Sequence, residues 1–136
     1  MLSIARLTAA TATGILFFVG TTYVISAGQK PEKTQGLTDV RLQQFPLGAQ
    51  ISAMAGYELR GRRVTLAPGG AVIEHSHADR PGIVYILEGS LTEGRGGKAR
   101  VYKAGDSWAE DTTALHWLEN TTDKPAVFVA VDLVKQ

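Results

Sequence analysis

Beyond Asp39 the apolar positions fall in short runs rich in β-branched and aromatic residues, and no stretch carries a helical period. The runs are 40–45, 57–66, 71–75, 83–87, 99–103, 107–110, 115–119 and 126–134. Turn-forming residues punctuate them at Pro68-Gly69-Gly70, Glu88-Gly89-Ser90, Gly94-Arg95-Gly96-Gly97, Gly105-Asp106 and Thr122-Asp123-Lys124-Pro125. About eight strands at roughly ten-residue spacing predict an all-β sandwich or barrel. Closure into a barrel would also protect the edges of so short a sheet.

The pattern upstream is different. From Leu7 to Gln29 no residue carries a charge, and the centre reads Gly14-Ile15-Leu16-Phe17-Phe18-Val19 behind a single basic residue, Arg6. Such a segment predicts either a secretory signal peptide over residues 1–27 or an uncleaved N-terminal hydrophobic helix that anchors the chain in the inner membrane. Either one predicts export, with the domain in the periplasm or another extracytoplasmic space. Residues 28–38 are polar and carry Pro31 and Gly36, the composition of a linker. The folded domain is then expected over residues 39–136.

Composition trims the functional classes. With 136 residues and 20% charged positions the chain has room for one domain of ordinary globular character. The net charge is +1, and loss of residues 1–27 would leave thirteen basic against thirteen acidic residues. No concentrated basic stripe exists, so nucleic acid is not an expected partner. Arg60 and Arg62 share one strand face by alternation, and that face is expected to be solvated. There is no cysteine, so any metal must be held by nitrogen and oxygen.

The candidate chemistry rests on the three histidines of the chain, His75, His77 and His116. On a strand, residues i and i+2 share a face, so His75 and His77 can offer two imidazoles to one space. A third imidazole from a distant strand would complete a half-shell of nitrogen ligands for a divalent ion, with Zn, Fe, Mn, Cu and Ni all suited to it. Alternation from the histidines turns Ile73 inward, and alternation from Gly82 turns Val84 and Ile86 inward. Together these four predict a mostly apolar pocket. Tyr85 falls on the opposite face, and Trp108 and Trp117 are expected in the core. Arg80, in the loop after His77, is expected to be exposed, with a hold on an anionic substrate as its other reading.

The spacing Gly69-x5-His75-x-His77-x4-Gly82-x6-Gly89 resembles the first cupin motif, and Gly105-x5-Asp111-x-Thr113-x2-His116-x3-Asn120 resembles the second. The resemblance covers about half of the expected domain. It implies a double-stranded β-helix, a jelly-roll barrel with the histidines facing its interior, of the kind found in small bacterial cupins. It also allows a homodimer. Two departures stand out. The first motif has a glutamate ligand where this chain has Gly82, and the second has Pro and Gly where Asp111 and Thr113 stand, a change expected to affect only a loop.

A three-His site without the glutamate is similar to that of some thiol and diketone dioxygenases. Glu110 is the candidate to approach the metal and act as a catalytic base, with a rim carboxylate as its other reading. The resulting expectation is a metal-dependent enzyme, oxidoreductase- or isomerase-like, acting on a small organic molecule. The alternative is a non-catalytic cupin module that binds a small ligand or a metal. Membrane contact is expected only through an uncleaved N-terminal segment.

Overall fold

A computed structural model of the chain describes the backbone of Ile25–Ser26 and residues 29–136. The expected N-terminal hydrophobic helix lies outside the described residues, apart from Ile25–Ser26, whose backbone forms a short strand, β1, against Lys98–Ala99. No helix among the described residues is long and apolar enough to cross a membrane.

Eight further strands build the barrel. They are β2 (Gln35–Pro46), β3 (Tyr57–Ser76), β4 (Gly82–Glu88), β5 (Ser90–Arg95), β6 (Lys98–Lys103), β7 (Ser107–Glu110), β8 (Leu115–Glu119) and β9 (Ala126–Lys135). One turn of 3-10 helix, Ser52–Met54, interrupts the chain between β2 and β3. All pairings are antiparallel, and the strand order is β1-β6-β5-β8-β3-β9-β4-β7, with β2 added to β3. The result is the nearly closed jelly-roll barrel that the strand pattern and motif spacing predicted.

β3 organises the whole. Its first half, Tyr57–Leu66, pairs with β9 on one side and β2 on the other, while Ala71–Ser76 pairs with β8. The expected break at Pro68-Gly69-Gly70 is therefore a bend within one long strand. Gly69 takes φ +70°, and a Cβ on Gly70 would lie 2.7 Å from the Ala67 carbonyl oxygen, so small residues let the strand change partners there.

Two further differences have local causes. β5 has no counterpart among the expected runs, since turn signals at Ser90 and Gly94-Arg95 bracket it, but Gly94 faces the Trp117 indole, and a Cβ there would fall 1.9 Å from the ring. That glycine serves close packing inside a strand. β2 begins at Gln35, so the last four residues of the expected linker are sheet, tied down by the bond from Gln35 Nε2 to the Gly69 carbonyl, 3.0 Å.

The interior is filled at one end and hollow at the other. Leu66, Val84, Ile86, Leu91, Trp108 and Phe128 belong to the buried apolar cluster, where each large side chain contributes about 1.5–3 kcal/mol by leaving water. Asn120, fully buried, donates to the carbonyls of Leu66 and Lys124 at 2.9 and 2.8 Å and accepts from Thr122, fixing the turn that returns β8 to β9. Above this floor lies a cavity of about 310 Å³, and His75 and His77 stand in its wall.

Candidate metal centre

β3 and β8 bring the histidines together. His75 and His116 are direct register partners, and the His77 amide donates to the Ala114 carbonyl one step further along, 2.9 Å. Between Val72 and His75, β3 carries one more residue than β8, which is a bulge. The extra residue lets both Val72 and Ile73 line the cavity beside His75 and His77. The three rings lie 4.7 to 5.0 Å apart, centre to centre. One ligand atom from each lies within 4.8 Å of the others, a grouping that could bind a metal ion.

The partners of the ring nitrogens decide which atoms are free. His75 Nδ1 is 2.9 Å from the Ile73 carbonyl, and His77 Nδ1 is 3.1 Å from the Arg80 carbonyl. A carbonyl can only accept, so both Nδ1 atoms carry the proton. His116 Nδ1 is 2.7 Å from Glu93 Oε1, and the carboxylate imposes the same tautomer. Each neutral ring is thereby left with its lone pair on Nε2.

Two of those bare nitrogens, on His77 and His116, are 3.1 Å apart in a fully buried setting. Two lone pairs facing each other repel unless a shared proton or a metal ion stands between them. Two nitrogens about 2.1 Å from one ion and about 90° apart would be separated by roughly 3.0 Å. The donor set therefore fits a divalent metal bound through three Nε2 atoms.

Burial keeps the His75 and His77 rings neutral. Burial pushes the His77 pKa down to about 4, the Arg80 carbonyl opposing and the Arg80 charge assisting. Burial lowers His75 as well. Neutral imidazole is the form that binds metal.

Glu110 stands beside this group. Its Oε2 is 3.2 Å from His77 Nδ1 and its Oε1 3.6 Å from His116 Nε2, while the Trp108 indole donates to Oε1 at 3.3 Å. On β7 it is the direct register partner of Gly82. A Cβ on Gly82 would lie 2.6 Å from the Val131 carbonyl and 3.0 Å from Asp132 Cβ, so a larger residue there would force a shift. The carboxylate absent from position 82 thus reaches the histidines from the neighbouring strand. Burial raises the Glu110 pKa, with the His116 charge, the Trp108 hydrogen bond and Arg80 opposing.

Other expected positions fall elsewhere. Ile73 lines the cavity. Val84 and Ile86 face inward as alternation requires, but they are packed in the floor and are not among the residues that line this cavity, nor is Gly82. Tyr85 is exposed, and Trp108 and Trp117 are buried. Asp111 sits in an exposed loop, bonded to Thr113 and Arg95.

The arginines overturn their expectation of a solvated face. Arg60 is bidentate to the buried Asp132, at 3.0 and 2.9 Å, and Arg62 Nη2 donates to the same carboxylate at 3.0 Å. Arg80 is half-buried, and with Arg62 it lines the cavity. Burial pushes the Asp132 pKa up, but the hydrogen bond from Arg60 and the charges of Arg62, Arg60 and Arg80 outweigh it and hold the carboxyl below its usual range. Neither Asp132 nor Glu93 was singled out from the sequence. A lone acid inside the apolar run Ala126–Lys135 signals a buried, paired carboxylate.

Fold and site together define a cupin barrel with a three-histidine centre. The chain belongs to the Cupin domain family (Cupin_2), whose model matches residues 62–132. It is 30% identical over 103 residues to germin-like protein subfamily 2 member 1 of Arabidopsis thaliana, covering 70% of this chain and 47% of that protein. The chain thus spans about half the length of the curated relative it matches.

Among the solved structures that share the fold, two illustrate it. One is the Cupin_2 domain of an XRE family transcriptional regulator from Enterobacter cloacae, with TM-score 0.56, 19% identity, and coverage of 72% of this chain and 96% of that one. The other is a sugar phosphate isomerase of the cupin superfamily from Silicibacter pomeroyi, with TM-score 0.56, 22% identity, and coverage of 74% and 60%. At these identities the likeness shows the fold alone.

Proposed function

We propose that the chain is a metal-dependent cupin that acts on a small organic molecule in the cavity, with His75, His77 and His116 holding one divalent ion. The observation that carries this reading is the locking of three Nδ1 atoms onto oxygen acceptors, which turns three bare Nε2 atoms toward one centre. His75, His77 and His116 would hold the ion with coordination positions left open, and it would supply Lewis-acid or dioxygen chemistry there.

The chain's own groups do the rest. Glu93 orients His116, and the Ile73 and Arg80 carbonyls orient His75 and His77. Glu110 serves as proton acceptor, because its carboxylate lines the cavity beside His75 and His77, and burial raises its pKa. The apolar wall formed by Val72, Leu118 and Phe128 limits water at the reacting centre. The reaction is oxidoreductase- or isomerase-like, and the ion is Zn, Fe, Mn, Cu or Ni.

The test is turnover of a panel of small molecules by metal-loaded protein, followed by dioxygen uptake and by mass spectrometry. Metal-dependent consumption of a compound, lost in His75→Ala, supports the reading. Binding of a compound without consumption would favour a non-catalytic ligand-binding module, a reading that the regulator domain with this fold makes specific.

The uncharged segment Leu7–Gln29 supports an exported domain, with residues 1–27 as signal or anchor, residues 28–38 joining it to the barrel, and a periplasmic or other extracytoplasmic location. Cell fractionation of the tagged full chain checks this, and a wholly cytoplasmic protein would contradict it.

A further inference from the structure

The cavity has a second polar end, opposite in charge to Glu110. Asp132 draws three guanidiniums but satisfies only two of them. Arg60 gives it two hydrogen bonds and Arg62 one, whereas Arg80 Nη1 stays 3.8 Å away, beyond hydrogen-bond reach. Arg62 also donates to Asp39. Among the described residues the Arg80 guanidinium donates no hydrogen bond, and Arg62 Nε is buried with no partner. Asp132 and Asp39 take the hydrogen bonds of Arg60 and Arg62, and the Arg80 guanidinium is left at the cavity wall with donors that no carboxylate among the described residues accepts.

Arg80 is fixed with respect to the histidines. Its own carbonyl accepts the His77 Nδ1 proton at 3.1 Å, and its side chain lines the same cavity as His75, His77 and Glu110. The remaining wall is largely apolar, and a volume of about 310 Å³ sits at the small end for ligand sites.

We propose that the ligand is a small organic acid whose carboxylate pairs with Arg80 while a second oxygen of the same molecule faces the three Nε2 atoms. This rests on the metal-site reading above for its second contact only. A guanidinium fork matches the two oxygens of a carboxylate. A phosphate dianion is a poor match, because Arg80 alone of the three arginines has its whole guanidinium free to meet it, and Asp39, Asp132 and Glu110 repel its second charge more than they repel a carboxylate.

The experiment is calorimetric titration of the metal-loaded full chain with glycolate, lactate and malonate, each beside its uncharged amide. Wild type, Arg80→Gln and Arg80→Lys are compared, and metal content is measured on every sample. At least one acid should bind about tenfold or more tightly than its amide. Arg80→Gln should bring that ratio close to one with metal content unchanged, and Arg80→Lys should keep part of it. Equal binding of every acid and amide by wild type would overturn the proposal. So would an undiminished ratio in Arg80→Gln, or displacement of the acids by lower concentrations of inorganic phosphate. If the wild type takes up no metal, the metal reading fails separately. The same titrations on the metal-free protein then decide the anion site, because loss of the acid preference in Arg80→Gln supports it and lack of any preference in wild type overturns it.

Discussion

Gly82 has a buried carboxylate on each side, Glu110 on β7 and Asp132 on β9, both its direct register partners, and the barrel treats the two in opposite ways. Asp132 is held ionised by arginines and serves to neutralise them. Glu110 has an indole and the imidazoles of His77 and His116 for neighbours, and burial pushes its pKa up against the opposing charges of His116 and Arg80. One strand position away from each other across β4, one carboxylate is structural and the other is left available for chemistry. What separates them is the supply of cations: β3 delivers Arg60 and Arg62 to β9, and none of comparable reach to β7. A pair of acids whose environments push their pKa values apart is a usual mark of divided roles.

The largest way to break this contrast is Asp132→Ala. Removing the anion leaves guanidiniums buried and uncompensated, and urea denaturation should show a loss of about 3–5 kcal/mol. A loss below about 1 kcal/mol would mean that the arginines find solvent or another partner. The matching change on the other side, Glu110→Gln, should leave the stability of the metal-free protein unchanged or slightly higher, since it removes a desolvated charge without stranding a cation. It should still weaken metal binding, by about tenfold in competition with a chromophoric chelator.

Glu93→Gln sharpens the same point from the second motif. Glu93 fixes the His116 tautomer at 2.7 Å, so its loss should cost about 10- to 100-fold in metal affinity with the barrel intact by circular dichroism. Unchanged affinity would show that His116 keeps its orientation without it.

The smallest effect is on pH. His77 is neutral in the fold down to about pH 4, against an ordinary value of 6.5, so between those limits the unfolded chain binds more protons. Its contribution is fully present above pH 6.5 and is lost as pH falls toward 4. His75 shifts in the same direction, while Glu110, with its pKa raised, acts with the opposite sign. The thermal midpoint of metal-free protein should therefore drop between pH 6.5 and 4.5, less so in His77→Gln and more steeply in Glu110→Gln. A flat profile for the wild type would contradict the neutral, buried imidazole.

The strands that alternate cleanly were legible in the chain, and so were the three histidines and the glycines that frame them. β5 was hidden because Gly94 has the composition of a turn and the function of a packing site, visible only with Trp117 in place. The second polar end was hidden for a different reason. Asp132 meets Arg60 and Arg62 from 72 and 70 residues away, and no local pattern records such a pairing. The tautomer locks at Ile73 and Arg80 come from backbone carbonyls, to which side-chain identity is nearly blind. Pocket walls were misjudged because alternation tells which residues face inward but not how deep they lie, as Val84 and Ile86 show.

Metal content of the full chain and of His116→Ala, purified without chelator and measured by mass spectrometry, addresses the three-nitrogen centre most directly. One divalent ion per wild-type chain and almost none in the variant is the predicted result. A wild-type protein free of metal, with a melting temperature unmoved by added divalent ions or by chelator, would contradict it.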